Sequence, residues 1–178
     1  GGEDAWVLKL NSNGTVAWQK TYGDSAQDRA YSIEQTSDGG YIVAGITASS
    51  GAGSNDAWIL KLNPDGTVNW QKTYGEDGVD GSFSVQQTSD GGYIVVGNID
   101  TTSGSGLTDA WVLKLNSDGT VAWQKSYGGA TYDYGKSIQQ VSDGSYIVLV
   151  QTKLVSGVDN DFWVLKLNTD GTVAWQKI

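Results

Sequence analysis

From Asp56 the chain reads DAWILKLNPDGTVNWQKTYG, with Trp58, Leu60 and Leu62 alternating with Ala57, Ile59 and Lys61. Past Pro64-Asp65-Gly66, Val68 and Trp70 alternate with Asn69 and Gln71. A period of two marks strands, and the turn residues between them mark a hairpin. A two-residue loop would set Leu62 beside Thr67 or Asn69 and turn Trp70 to the wrong side. A three-residue loop pairs Asn63 with Thr67, so that Leu62 faces Val68, Leu60 faces Trp70 and Trp58 shares their side. Pro64 then takes the first central position of a type I turn and Gly66 the left-handed bulge position. Gly14, Gly119 and Gly171 fall at the same turn point in three further copies.

Those copies begin at Asp4, Asp56, Asp109 and Asp161, which are 52, 53 and 52 residues apart, the period of a repeat array. A second element alternates with them: SIEQTSDGGYIVAGIT from Ser32, SVQQTSDGGYIVVGNI from Ser84 and SIQQVSDGSYIVLVQT from Ser137. Its Ser89-Asp90-Gly91 turn places Val85 against Val95, and the stretch 93–97 is apolar on both faces, which predicts a strand buried on both sides. The unit is therefore four strands, A (84–88), B (93–97), C (110–116) and D (120–127) in the third copy. The chain divides into a half-unit at 1–22, holding only C and D, and full units at 23–74, 75–127 and 128–178, all in one repeat domain. The A–B and C–D turns are short and nearly identical. The B–C loops (47–55, 100–108, 152–160) and D–A links (23–30, 75–82, 128–135) are longer and divergent, and in an up-and-down sheet they share one face, where any ligand is to be sought.

DAWVLKLNSDGTVAWQKSYGG and SDGGYIVVG resemble the bacterial and archaeal repeats described as seven-bladed β-propeller repeats. Their pattern runs D-x-F/W-V/I-x-K-L, a D-G or S-G turn, a Trp strand, Y-G-G, a D-containing link and D-G-x-Y-I/V-x-G, and the resemblance spans essentially the whole chain. The spacing of Asn116, Gly119 and Trp123 is also similar to the tryptophan-docking repeat of pyrroloquinoline-quinone enzymes, a pattern many propellers share. Both resemblances imply radial four-stranded blades. The expected fold is thus all-β, a propeller-like array of three complete antiparallel blades plus an N-terminal half-blade, fewer than the usual four to eight.

Composition changes the picture chiefly by exclusion. With eight Trp, nine Tyr and 25 Gly against one Pro, the chain reads as turn-rich β protein. The absence of Cys excludes disulfides and thiolate metal sites, and the absence of His removes the commonest acid/base and metal-binding side chain, so triads needing either are excluded. No apolar run approaches a membrane span and no signal peptide is visible; with no Met, Gly1 is read as the start of a processed chain or fragment. A net charge of −9 argues against nucleic acid, because phosphate contacts need clustered Lys and Arg. Lys9, Lys61, Lys114 and Lys166 on strand C, and Lys20, Lys72, Lys125 and Lys177 on strand D, read as edge or snorkelling lysines.

Trp6, Trp58, Trp111 and Trp163 on C and Trp18, Trp70, Trp123 and Trp175 on D could stack on sugars, but their mid-strand apolar positions predict core packing between blades. Glu76, Asp77 and Asp80 offer oxygen ligands for calcium, yet the equivalent GGATYDYG keeps only one acid. Single loop aspartates such as Asp28, Asp80 and Asp133, and those preceding strand C at Asp4, Asp56, Asp109 and Asp161, more often accept backbone N–H bonds. Nothing sets two carboxylates at the separation glycoside hydrolysis needs. Asn13-Gly14-Thr15 is a glycosylation sequon inside a tight turn, where chance occurrence is the simpler reading.

These readings converge on a non-enzymatic scaffold or assembly subunit without cofactor, extracellular or at the cell surface by its acidic, Cys-free surface. The alternative is a lectin-like module binding a glycan or protein through the variable loops. In the half-unit, strand C (Ala5, Trp6, Val7, Leu8, Lys9, Leu10, Asn11) has no A–B hairpin beside it. Its bare edge calls for a cover, either an upstream segment outside this fragment or another copy docking head to tail; the second predicts an intermolecular contact at or next to this edge, and a head-to-tail contact that does not close propagates into a filament.

Overall fold

The computed structural model describes residues 2–51, 54–100, 108–153 and 160–178. Among the described residues the alternating sequence becomes fourteen strands. A two-stranded sheet comes first, β1 (Ala5–Leu10) and β2 (Val16–Tyr22). Three four-stranded sheets follow: β3 (Asp28–Gln35), β4 (Tyr41–Thr47), β5 (Asp56–Leu62) and β6 (Val68–Tyr74); β7 (Gly81–Gln87), β8 (Tyr93–Asp100), β9 (Thr108–Leu115) and β10 (Val121–Tyr127); β11 (Asp133–Gln140), β12 (Tyr146–Lys153), β13 (Asn160–Leu167) and β14 (Val173–Lys177). Within each sheet neighbours in sequence are neighbours in space, and all are antiparallel. The chain is all-β, built of propeller-type blades preceded by the C and D strands of another.

The second strand of each blade explains its apolar run. Ile94, Val95 and Val96 of β8 are each fully buried because both sides of this central strand meet neighbouring blades. Blades stack through their inner strands: β7 lies against β3, β4 and β5, and β11 against β7, β8 and β9.

The C–D turn has the three-residue form. Asn63 N–H donates to Thr67 O at 2.8 Å and Gly66 N–H to Asn63 O at 2.9 Å, and Leu62 pairs with Val68. Asp65 closes the turn by accepting from Thr67 N–H at 2.9 Å, and Asn13 takes that role in the first copy, accepting from Thr15. Beyond the first pair the expected register is corrected. Trp70 pairs with Lys61, and Leu60 with Gln71, because Asn69 forms a β-bulge. One extra residue moves every later side chain of β6 to the other face. Trp70 therefore points toward the following blade, whereas Trp58, Leu60 and Leu62 point toward the preceding one. The same bulge recurs in the other three C–D pairs.

Gly14, Gly66, Gly119 and Gly171 have φ of 81°, 77°, 77° and 78°. A Cβ on Gly119 would also sit 3.0 Å from the ring carbons of Trp70. Gly119→Val should lower stability by more than about 1 kcal/mol, the left-handed strain of an L-residue alone supplying roughly that much. Denaturant unfolding followed by circular dichroism checks it, and an unchanged midpoint would refute the turn geometry.

Candidate functional site

A hydrophobic seam between blades repeats along the molecule. Its forward side is built from strands B, C and D of one blade: Ile42, Ala44, Ala57 and Ile59 with Trp70 and Tyr74. Its backward side comes from the next blade: Tyr93, Val95, Trp111, Leu113 and Leu115. The bulged D strand adds two polar anchors. Tyr22, Tyr74 and Tyr127 each donate from the phenol to the carbonyl of the next turn glycine, Gly66, Gly119 and Gly171, at 2.6 Å. Trp18 and Trp123 Nε1 donate to Pro64 and Thr169 carbonyls, both at 3.1 Å. Burial pushes the Tyr127 phenol up to about 12, so it stays a donor at neutral pH. Sequence alone did not single out these tyrosines, although their recurrence four residues past Trp18, Trp70 and Trp123 was visible.

The expectation that all eight tryptophans are core is corrected. Trp58 and Trp111 are buried, and Trp18, Trp70, Trp123 and Trp163 are partly so, but Trp6 is 61% and Trp175 43% exposed. Those two lie on the outer faces of the first and last sheets, which no other described blade covers. The reading of the strand C lysines is corrected as well. Lys61 and Lys114 are buried, and each reaches the aspartate of its own A–B turn: Lys61 to Asp38 at 2.8 Å, Lys114 to Asp90 at 2.9 Å and Lys166 to Asp143 at 2.7 Å. Lys61 and Lys114 also donate to the Leu62 and Leu115 carbonyls. They tie strand C to the A–B turn from inside rather than guarding an edge.

Hydrogen bonds from Lys61, Thr36 and Gly40 hold the Asp38 carboxyl at about 2. Burial acts upward on Asp90, but Thr88, Lys114 and Gly92 together outweigh it and hold that group also at about 2. A carboxyl lowered in the folded state stabilises fully above its unfolded value near about 4, and this contribution is lost as pH falls toward about 2. Lys114→Met should therefore reduce the loss of melting temperature between pH 4 and 2 relative to the parent. Identical acid profiles would refute the linkage.

The acidic links serve the backbone. Asp80 is fully buried and accepts from Glu76 N–H at 2.6 Å and Asp100 N–H at 2.8 Å, while burial raises its carboxyl above the ordinary value. Of the calcium candidates, Glu76 and Asp77 are exposed and do not converge on Asp80; among the described residues no three acids group as a metal site. Asp28 accepts from Asp24 N–H and Ser49 Oγ, both at 2.9 Å, and Asp133 from Gly129 N–H at 3.2 Å. Beside Asp133, Asp109 Oδ1 is buried with no hydrogen bond among the described residues, and burial together with Asp133 raises that carboxyl. At the loop end, Tyr22, Asp28, Thr47, Ser49, Trp58 and Gln71 line a cleft of about 240 Å³. Of the loops assigned to the variable face, residues 52–53, 101–107 and 154–159 lie outside the described residues.

The open ends remain. Trp6, Leu8 and Leu10 of β1 are 61%, 38% and 52% exposed, whereas their equivalents Trp111, Leu113 and Leu115 are 3%, 1% and 0%. At the other end Phe162 is 67% and Trp175 43% exposed. β1 pairs with β2 on one side only.

Residues 36–69 match the model of a β-propeller domain of unknown function, DUF5122. A crystal structure of a protein of unknown function from Bacteroides caccae is similar in fold, with a TM-score of 0.53 at 12% sequence identity, over 95% of this chain and 73% of that one. No curated protein matches. Strand order, the repeated seam and the matched segment agree on one conclusion: the chain is an array of β-propeller blades.

Proposed function

We propose that the chain is a non-enzymatic structural module, extracellular or at the cell surface, that assembles head to tail through its blade faces. The observation that carries this reading is the pair of exposed end faces. Trp6, Leu8 and Leu10 form the backward half of the inter-blade seam, and Phe162 with Trp175 belongs to its forward half. An apolar surface whose complement stands on the same molecule is a heterologous contact, which propagates unless it closes. The buried, backbone-bonded state of Asp80 supports a structural rather than catalytic use of that link acid. The acidic, Cys-free composition supports a solvated exterior setting.

Light scattering across a concentration series tests the assembly. Mass should grow with concentration, and Trp6→Glu or Trp175→Glu should each leave monomers. A monodisperse monomer at every concentration, with fast amide exchange across Ala5–Leu10, would overturn the reading. So would saturable glycan binding lost on deleting residues 47–55.

A further inference from the structure

The inner edge of β1 borders a groove of about 240 Å³ whose lining includes Trp6, Leu8, Tyr31, Ile33 and Val43. Three observations specify what fits it. The first is the missing cover: Ile33 of β3 is 50% exposed, although the equivalent Val85 and Ile138 are each 4% exposed under strand B of the preceding blade. The second is register. In all three complete blades strand C pairs with a strand B that starts with tyrosine, at Tyr41 with Leu62, Tyr93 with Leu115 and Tyr146 with Leu167. The same register on β1 sets such a tyrosine against Leu10 and the B-strand glycine against Trp6. The third is charge. Lys61, Lys114 and Lys166 each hold the aspartate of an A–B turn. Lys9, their counterpart, has no carboxylate partner among the described residues and lies 5.6 Å from the centre of the Tyr41 ring.

We propose that the β1 edge and this groove form an acceptor for an A–B hairpin of the same repeat from outside residues 1–178, whose turn aspartate binds Lys9. This rests on the reading of the chain as an assembling module and names what its open edge recognises. Recognition is by strand addition: backbone bonds to β1 supply affinity, and the alternate side chains supply specificity. Residues at the second and fourth positions of the incoming strand B, isoleucine and alanine or valine in the first two blades, cover Ile33 and Val43. The aspartate neutralises the one strand C lysine that lacks an A–B turn.

The probe is a synthetic peptide with the sequence of residues 81–99, GSFSVQQTSDGGYIVVGNI, added to the full chain, with amide exchange and fluorescence titration as readouts. Because an isolated hairpin is marginally stable, the same segment is also fused ahead of the chain through a flexible linker as long as its own B–C loops. Saturable one-to-one binding is expected, with exchange across Ala5–Leu10 slowed at least about tenfold in either form. Lys9→Met in the chain, or Asp→Asn in the peptide turn, should weaken binding about tenfold or more, since either strands one partner of a shielded pair. Ile33→Asp should abolish it. Unprotected β1 amides in the fusion, equal protection by a scrambled segment, or binding indifferent to Lys9→Met would each overturn the proposal. The two readings separate cleanly. Self-association without hairpin binding defeats the acceptor alone, and hairpin binding to a chain that stays monomeric at every concentration defeats the assembly alone.

Discussion

Trp111→Ala is expected to lower stability by about 3–5 kcal/mol, while the same truncation at Trp6 should cost under about 1 kcal/mol. The two residues hold the same position in strand C, with nearly the same neighbours in sequence. What separates them is the seam. Trp111 is 3% exposed and packs in one cluster with Ala57, Ile59, Tyr93, Val95 and Leu113, so truncation leaves a cavity between two sheets that are each braced by a further blade. Trp6 is 61% exposed, and its removal returns little surface to water. Because stacked repeats can lose all-or-none behaviour, unfolding is best followed by far-ultraviolet circular dichroism together with residue-level amide exchange. Trp111→Ala should speed exchange on both sides of the seam, in β4 and β8. Equal costs for the two variants would show that the seam does not carry the fold.

Much of this architecture was legible in the sequence for a simple reason: the repeat wrote each hairpin several times. Pro64-Asp65-Gly66 and its relatives fix the turn, so the pairing of Leu62 with Val68 could be read directly. The bulge at Asn69 could not. Val68 and Trp70 still alternate as in a regular strand, and the inserted residue has no signature beyond a small or polar side chain at 17, 69, 122 and 174. Missing it put the D-strand tryptophans on the wrong face and hid the tyrosine anchors that follow them.

The lysines were misread because burial of Lys is rare unless paired, and the partner stands some two dozen residues upstream. Yet Asp38, Asp90 and Asp143 recur in step with Lys61, Lys114 and Lys166, and that covariation within one chain was the available signal. The tryptophans were misread for a different reason. Their local pattern is identical, and only the place of the blade in the array decides which of them is covered. Burial of an end face is a property of assembly, which no local period encodes.

Gly97→Ala should cost roughly 2–4 kcal/mol, although a single methyl group in a β-strand is ordinarily tolerated or favourable. Gly97 sits in the central strand β8, paired with Trp111 on one side and Ser82 on the other. A Cβ there would lie 1.7 Å from the Gly81 carbonyl oxygen and 2.9 Å from Ser82 Cα, both backbone atoms that cannot rotate away. Gly45 in β4 meets the same obstacle, 1.9 Å from the Arg29 carbonyl oxygen. The neighbours Val95 and Val96 are fully buried on opposite faces, so β8 cannot yield without opening a seam. The last blade carries Val150 at the equivalent position, opposite Gly135 rather than Ser82. A side chain is thus compatible with the blade only alongside a changed strand A, which the single substitution does not provide. Gly91, in the turn of the same hairpin, is the control. It has φ of 81° with nothing within 4 Å of its Cβ position, so Gly91→Ala carries conformational strain alone, about 1–2 kcal/mol. Denaturant midpoints of the two variants separate the causes: Gly97→Ala should be the more destabilised and should lose amide protection in β7 and β8 together. If it proves no worse than Gly91→Ala, the close backbone approach between β7 and β8 does not constrain this fold.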